Sequence, residues 1–225
     1  MEKLCSVAID GPSGAGKSTL ARAVAEHFGF IYVDTGAIYR TVGLASLRGE
    51  VDITDNARVI DILPSLEIDL RYDESGLQRM YLNGEDVTGE IRTPVISHYA
   101  SVVSAIPEVR AFLMEMQRGM ARRKSVVMDG RDIGTVVLPG ADVKIFLTAS
   151  SEERARRRHL ELMEKSTQIS YEEVLRDVIE RDERDSNRAA APLRAAEDAL
   201  LLDTTEMNLQ ESFKKICSLI ESVIK

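Results

Sequence analysis

The octapeptide Gly11-Pro12-Ser13-Gly14-Ala15-Gly16-Lys17-Ser18 has the spacing G-x-x-x-x-G-K-[ST]. Glycines so placed let a loop fold its backbone N–H groups around phosphate oxygens, and a helix starting at its end adds the positive end of its dipole. The lysine reaches the outer phosphates, and the hydroxyl after it ligates the accompanying Mg2+. A nucleoside triphosphate with its metal is the natural occupant. Context supports the motif. Residues 4–9 are an apolar run broken at Asp10, and Leu20, Ala21, Val24, Ala25 and Phe28 then recur at helical period. A glycine turn with a solvated lysine is the competing reading, and it does not require strand, loop and helix in that order. The motif alone leaves GTPases, ATPases and small-molecule kinases open.

Arginines separate these classes. With 29 basic and 37 acidic residues the chain carries a net charge of −8, so cations must be concentrated locally wherever phosphates are handled. Arg154, Arg157 and Arg158 stand at i, i+3 and i+4, three like charges on one helix face. Such a face is expected of a lid that closes on the triphosphate and excludes water. A solvated face paired with Glu152, Glu153 and Glu161 is the alternative. Arg181, Arg184, Asp185 and Arg188 fall within an arc of about 100° around one helix. Guanidinium forks match phosphate oxygens in pairs and a carboxylate accepts from a sugar hydroxyl, so this stripe suits a nucleoside monophosphate. Its alternative is an intrahelical ladder of ion pairs. Asp129-Gly130-Arg131-Asp132 follows the apolar run 125–128, where doubly wound sheets place their ligand crevice. Arg131 there is a candidate bridge between donor and acceptor phosphates. Asp132 is a candidate to orient an acceptor base or to link to the metal shell, and the choice between Asp129 and Asp132 for the metal stays open.

The elements that must hold these groups read as alternating strands and helices. Residues 31–33 end at Asp34, and a helical stretch runs on to near Gly49. Residues 66–82 alternate about a turn at Asp73-Glu74-Ser75-Gly76, an antiparallel hairpin inserted between helices. Pro107 opens an amphipathic helix with Val109, Phe112, Leu113, Met116 and Met120 toward the core. The apolar runs 125–128, 143–147 and 200–202 suit parallel strands covered on both faces. Asn208 with Glu211 caps a last helix striped by Leu209, Phe213, Ile216, Ile220 and Val223. The expected fold is α/β: a doubly wound parallel sheet carrying the P-loop, with a lid and an inserted part containing a small antiparallel sheet.

At 225 residues, 44% hydrophobic and 29% charged, one soluble domain with appendages is expected. Its negative charge repels a nucleic-acid backbone, so any nucleotide bound is a small one. Cys5 and Cys217 sit in apolar surroundings and are expected in the core rather than in a disulfide or a metal site. The loop begins at Gly11, which leaves no room for a signal peptide, and no apolar run approaches the roughly 20 residues of a membrane helix. A cytoplasmic location follows, with monomer as the default.

Four blocks carry a resemblance. They are the phosphate loop, Asp34-Thr35-Gly36-Ala37-Ile38-Tyr39-Arg40, Asp129-Gly130-Arg131-Asp132-Ile133-Gly134-Thr135-Val136-Val137, and Arg181-Asp182-Glu183-Arg184-Asp185-Ser186-Asn187-Arg188. Together, and in this order, they resemble the bacterial cytidylate kinase family among the nucleoside monophosphate kinases, over essentially the whole chain. The second and third blocks are specific to that family rather than to P-loop proteins at large. The resemblance implies Mg2+-dependent transfer of the ATP γ-phosphoryl group to CMP or dCMP. It implies a core at about 1–33, 107–149 and 169–225, a monophosphate-binding part at about 34–106 and a lid at about 150–168.

The resemblance also implies roles. ATP would meet Gly11, Pro12, Ser13, Gly14, Ala15, Gly16, Lys17, Ser18 and Thr19, with Arg154, Arg157 and Arg158 from the lid and Ser18 on the metal. Ser101, Arg110 and Asp132 would meet the cytosine edge, Arg181 and Asp185 the pentose, and Arg40, Arg131 and Arg188 the monophosphate, with Tyr39 among them. Lys17, Arg131 and Asp132 would form the catalytic set. Cytosine offers an amino donor that uracil lacks, and a buried acceptor facing uracil's carbonyl discriminates strongly. Pentose contacts through Arg181 and Asp185 need not use a 2′-hydroxyl, so dCMP is expected to serve as well. The rivals are a kinase of UMP or of a non-nucleotide alcohol, and a GTP-binding switch, whose Asn-Lys-x-Asp sequence is missing.

Overall fold

Strand and helix alternate as the pattern requires in the computed structural model, which describes residues 4–164 and 169–224. In order come β1 (Ser6–Asp10), α1 (Lys17–Phe28), β2 (Ile31–Asp34), α2 (Thr35–Arg48), α3 (Asn56–Ile62), β3 (Ile68–Tyr72), β4 (Gln78–Leu82) and β5 (Glu85–Asp86). There follow α4 (Pro94–Val103), α5 (Pro107–Ala121), β6 (Val126–Gly130), β7 (Val143–Thr148), α6 (Ser151–Glu164), α7 (Tyr171–Asn187), β8 (Leu200–Asp203) and α8 (Leu209–Val223). Five strands form one parallel sheet in the order β2-β6-β1-β7-β8. The expected hairpin is β3 and β4, and the short β5 completes a separate antiparallel sheet. Of the expected lid, positions 165–168 lie outside the described residues, as do positions 1–3 and 225 of the expected core.

The central strands are largely apolar because both faces are covered. Val7 and Ile9 of β1 pack with Leu20 and Val24 of α1 and Ile216 and Ile220 of α8, and Ala8 packs with Val33, Met128 and Ile133 on the opposite face. Burying each such valine or isoleucine contributes about 1.5–3 kcal/mol. Cys5 and Cys217 belong to the first of these clusters.

Two expectations need correction. The run 200–202 becomes β8, but β8 has a neighbour on one side only, and Leu201 is 66% exposed while Leu202 alone is buried. On α5 the buried face is Val109, Arg110, Leu113 and Gln117, whereas Phe112 is 39% exposed. The stripe is rotated because the inward position is taken by the Arg110 guanidinium, which pairs with Asp132.

A second apolar body joins the inserted part to α2, α4 and α5, through Ile38, Val42, Met80, Leu82, Val103 and Leu113. Among the described residues no strand ladder ties its sheet to the parallel sheet. Side chains do so instead. The Asp34 N–H donates to Gln78 Oε1 at 2.8 Å, Gln78 Nε2 donates to Asp34 O at 3.2 Å, and Tyr72 Oη donates to Tyr32 O at 2.9 Å.

Since the sheet is parallel, the segments after β1, β2, β6 and β7 emerge at one end, and β1 lies between β6 and β7 where the connections diverge. Gly11 leaves β1 at φ +148°, and a Cβ there would stand 1.9 Å from Leu147 O of β7. A Gly11→Ala chain must push the loop off β7, so a loss of at least about 2 kcal/mol in urea unfolding and of triphosphate affinity is expected. Unfolding and nucleotide-titration curves that match the parent's would refute this account of the loop.

Candidate active site

The phosphate loop turns twice through left-handed glycines, Gly14 at φ +77° and Gly16 at φ +85°. At the start of α1 Gly16 offers no side-chain cap and the first turn holds no acidic residue. By contrast α7 and α8 both begin with capping boxes. The first N–H groups of α1 are therefore left to an anion rather than satisfied from within. Lys17 is buried, its Nζ donating to Pro12 O at 2.7 Å. Ser18 Oγ donates to Asp129 Oδ2 at 2.8 Å, and Tyr32 Oη donates to Asp129 Oδ1 at 3.1 Å. Burial, then the nearby Asp34 charge, pushes the Asp129 carboxyl up to about 6. Burial, then Arg131, depresses Lys17. A polyphosphate between them favours charged Lys17.

From this loop a cavity of about 850 Å³ runs to a group of arginines. Asp34 Oδ1 caps α2, accepting from the Ala37 N–H at 2.9 Å, while its Oδ2 accepts from Arg40 at 2.9 Å and Arg92 at 3.1 Å. Burial opposes the charge on Asp34, but the two guanidinium groups outweigh it and hold the carboxyl below its ordinary range. Asp132 pairs with Arg110 and, at 3.4 Å, with Arg188. Asp185 Oδ2 accepts from Arg131 Nε at 2.8 Å. Three aspartates thus fix five arginine forks in advance, which lowers the entropy lost when an anion arrives. Burial, then Arg131, brings Arg181 down to about 10. Arg40 Nε, Ser101 Oγ and Arg181 Nε are buried without a hydrogen-bond partner among the described residues, and all three residues line the cavity. Buried polar atoms are seldom left so, and three around one cavity mark where a polar ligand belongs.

The family model for cytidylate kinase matches residues 7–222. The chain belongs to the cytidylate kinase family. It is 48% identical over 223 residues to the cytidylate kinase of Caldicellulosiruptor bescii, covering 99% of this chain and 98% of that one. It is 50% identical over 214 residues to that of Carboxydothermus hydrogenoformans, covering 95% and 96%. Among solved structures, the shikimate kinase of Bacteroides thetaiotaomicron superimposes at a TM-score of 0.50 over 97% of this chain and 99% of that one, at 14% identity. That last likeness concerns the fold alone.

In this member of the cytidylate kinase family the cavity walls include Ser13 to Thr19, Tyr39, Arg40, Ser101, Arg110, Arg131, Asp132, Arg157, Arg158, Arg181, Asp185 and Arg188. Gly11 and Pro12, at the start of the loop, are not among the lining residues. The stripe on α7 is narrower than expected. Arg184 is exposed, and Arg188 stands one residue past the helix in extended backbone. Arg154 departs most from the donor role. Only 4% exposed, it does not line the cavity; its guanidinium is spent on Asp182, Ser13 O and Ala149 O. The repulsion expected among Arg154, Arg157 and Arg158 is met by other partners as well. Arg157 pairs with Glu153 and donates to Thr204 O, and Arg158 pairs with Glu161. Asp129, not Asp132, accepts from the Ser18 hydroxyl.

Arg92, Arg156 and Thr35 line the cavity without having been singled out as contacts. Arg92 ends a short turn, and Thr35 Oγ1 donates to Asp129 O at 2.6 Å. Neither had a periodic signal. Asp10 was legible only as the end of β1. Its carboxylate accepts the Ile133 and Gly134 N–H groups at 2.7 Å each. These bonds hold the wide turn over residues 133–137, closed by the Leu138 N–H on Ile133 O, directly after Arg131 and Asp132. Burial pushes the Asp10 carboxyl up to about 6 against these two donors.

Proposed function

We infer that the chain transfers the γ-phosphoryl group of ATP to the phosphate of CMP or dCMP, giving ADP and CDP or dCDP. One observation carries this: a single cavity has the phosphate loop at one end and, at the other, Asp132, Ser101 and Asp185, with Arg131 lining the same space. An acceptor phosphate oxygen attacks the γ-phosphorus in line as the bond to the β–γ bridging oxygen breaks, with no covalent enzyme intermediate. Lys17 and Arg131 offset the charge spread over the transferring oxygens. Arg40 and Arg188 seat the acceptor phosphate, Arg181 and Asp185 the pentose. Ser101, Arg110 and Asp132 read the cytosine edge, beside Tyr39. Arg157 and Arg158 belong to the lid that covers the donor phosphates.

A divalent metal travels with ATP, and Mg2+ suits the donors present. Ser18 and Asp129 offer hard oxygens, and among the described residues no cluster of three His, Cys, Asp or Glu side chains forms a cage of its own. Ser18 would hold the ion together with the phosphates, with Asp129 fixing Ser18; the ion supplies charge neutralisation on the phosphate oxygens. No helix among the described residues is long and apolar enough to cross a membrane. A net charge of −8 argues against polymer binding. A cytoplasmic monomer acting on small molecules completes the proposal.

ADP formation from ATP should be followed with CMP, dCMP, UMP or no acceptor, with Mg2+ and with EDTA. CMP and dCMP should agree within about tenfold in kcat/KM, and UMP should be at least about 100-fold poorer. EDTA should stop the reaction. Equal use of UMP would remove the base assignment, and ADP released without acceptor would favour a hydrolysing switch.

A further inference from the structure

Arg154 stands at the first turn of α6 yet joins three separate segments. Its Nε donates to Ala149 O at 2.9 Å, Nη1 donates to Ser13 O at 3.0 Å, and both terminal nitrogens meet Asp182 of α7, at 3.1 and 2.5 Å. The first contact is with the end of β7, the second with the phosphate loop, the third with the acceptor helix. The loop is also pressed against the same residue. A Cβ at Gly14 would lie 3.1 Å from Arg154 Cβ and 3.2 Å from its carbonyl oxygen. Loop and helix start must therefore move together.

On the far side, Asp182 adjoins Arg181 and lies three residues before Asp185, both of which line the cavity. On the near side, Lys17 Nζ is bonded to Pro12 O, in the residue before Ser13. A polyphosphate in the loop competes for that ammonium and so loads the backbone that Arg154 grips. A planar fork holding one carboxylate through two parallel bonds transmits rotation as well as position, which a point charge does not.

We propose that the Arg154–Asp182 pair is the link through which triphosphate occupancy of the loop sets the position of Arg181 and Asp185, so that donor and acceptor bind synergistically. Both are positioning residues and touch neither nucleotide. The proposal rests on the reading of the loop as the donor site and of α7 as an acceptor wall.

Binding of CMP to the whole chain is measured by calorimetry with and without a saturating non-hydrolysable ATP analogue and Mg2+. The unchanged protein is expected to show at least about fivefold tighter CMP binding with the analogue present, and the same factor when the order is reversed, as linkage requires. In Asp182→Ala the factor should fall to within about twofold of unity, while each ligand alone keeps its Kd within about threefold. Asp182→Glu should recover part of it. Asp182 is 25% exposed in its side chain, so replacement should be tolerated, and Asp182→Asn provides the same reading should alanine unfold the chain. A factor of one in the unchanged protein, or an undiminished factor in both Asp182→Ala and Asp182→Asn, overturns the proposal. So does a common weakening of both ligands with the factor intact, which a mere brace would produce. Loss of CMP binding to the unchanged protein would instead strike the functional reading beneath it.

Discussion

Arg131→Ala is expected to lower kcat by about 10³-fold or more and to change the dissociation constant of CMP by less than about tenfold. The asymmetry follows from where the side chain sits. Arg131 extends from the end of β6 into the same space as Lys17, and Asp185 fixes it through Nε at 2.8 Å. A guanidinium oriented in advance meets transition-state charge without reorganising. In the proposed ground state Arg40 and Arg188 remain to hold the acceptor phosphate, so binding is expected to suffer less than turnover. Single-turnover quench-flow separates the two effects. An alanine variant with unimpaired turnover would remove Arg131 from the reaction, and one that lost binding and turnover equally would make it a docking residue only.

Asp132→Ala is expected to combine a stability defect with a loss of selectivity. Asp132 is buried between Arg110 and Arg188, whose side chains are nearly as buried. Breaking a buried pair from one side leaves charge uncompensated, at a cost of about 3–5 kcal/mol. For a chain of this size that is a fall in Tm of about 6–20 °C. Asp132→Asn keeps an oxygen acceptor and should unfold closer to the parent. In Asp132→Ala, kcat/KM for CMP relative to UMP should drop by about 100-fold, since the acceptor proposed to read the cytosine amino group is gone. A normal Tm would show that the two arginines find other partners. An unchanged CMP to UMP ratio would move base recognition elsewhere, with Ser101 first in line because its buried hydroxyl has no partner.

What could be read from the chain was local in sequence. The phosphate loop, the capping box at Asn208 and Glu211 and the apolar runs each rest on patterns shorter than about one helix length, and they stand where expected save that the run 200–202 is an exposed outer strand. Arg131 and Asp132 were legible because they end a strand at the side where crevices form. The burial of Arg154 was not legible for a physical reason: spacing at i, i+3 and i+4 identifies a helix face but not what packs on it, and Asp182 lies 28 residues away. Phe112 was misplaced on the same ground, since Arg110 claims the inward face only after Asp132 is there to receive it. Asp10, Arg92 and Gln78 share that limit. Their partners are 123, 58 and 44 residues distant, and a lone Asp, Arg or Gln carries no periodic signal.

The contact of Tyr72 and Gln78 with β2 has a consequence for self-association. An outer strand with open N–H and C=O groups is a template on which another chain can add a strand, and fibrils grow from such margins. Here the outward groups of Tyr32 and Asp34 are consumed by a phenol and a carboxamide from the same molecule. That side of the sheet is closed to recruitment. At the opposite margin β8 carries two bare leucines, so aggregation of a partly opened chain is expected to start there.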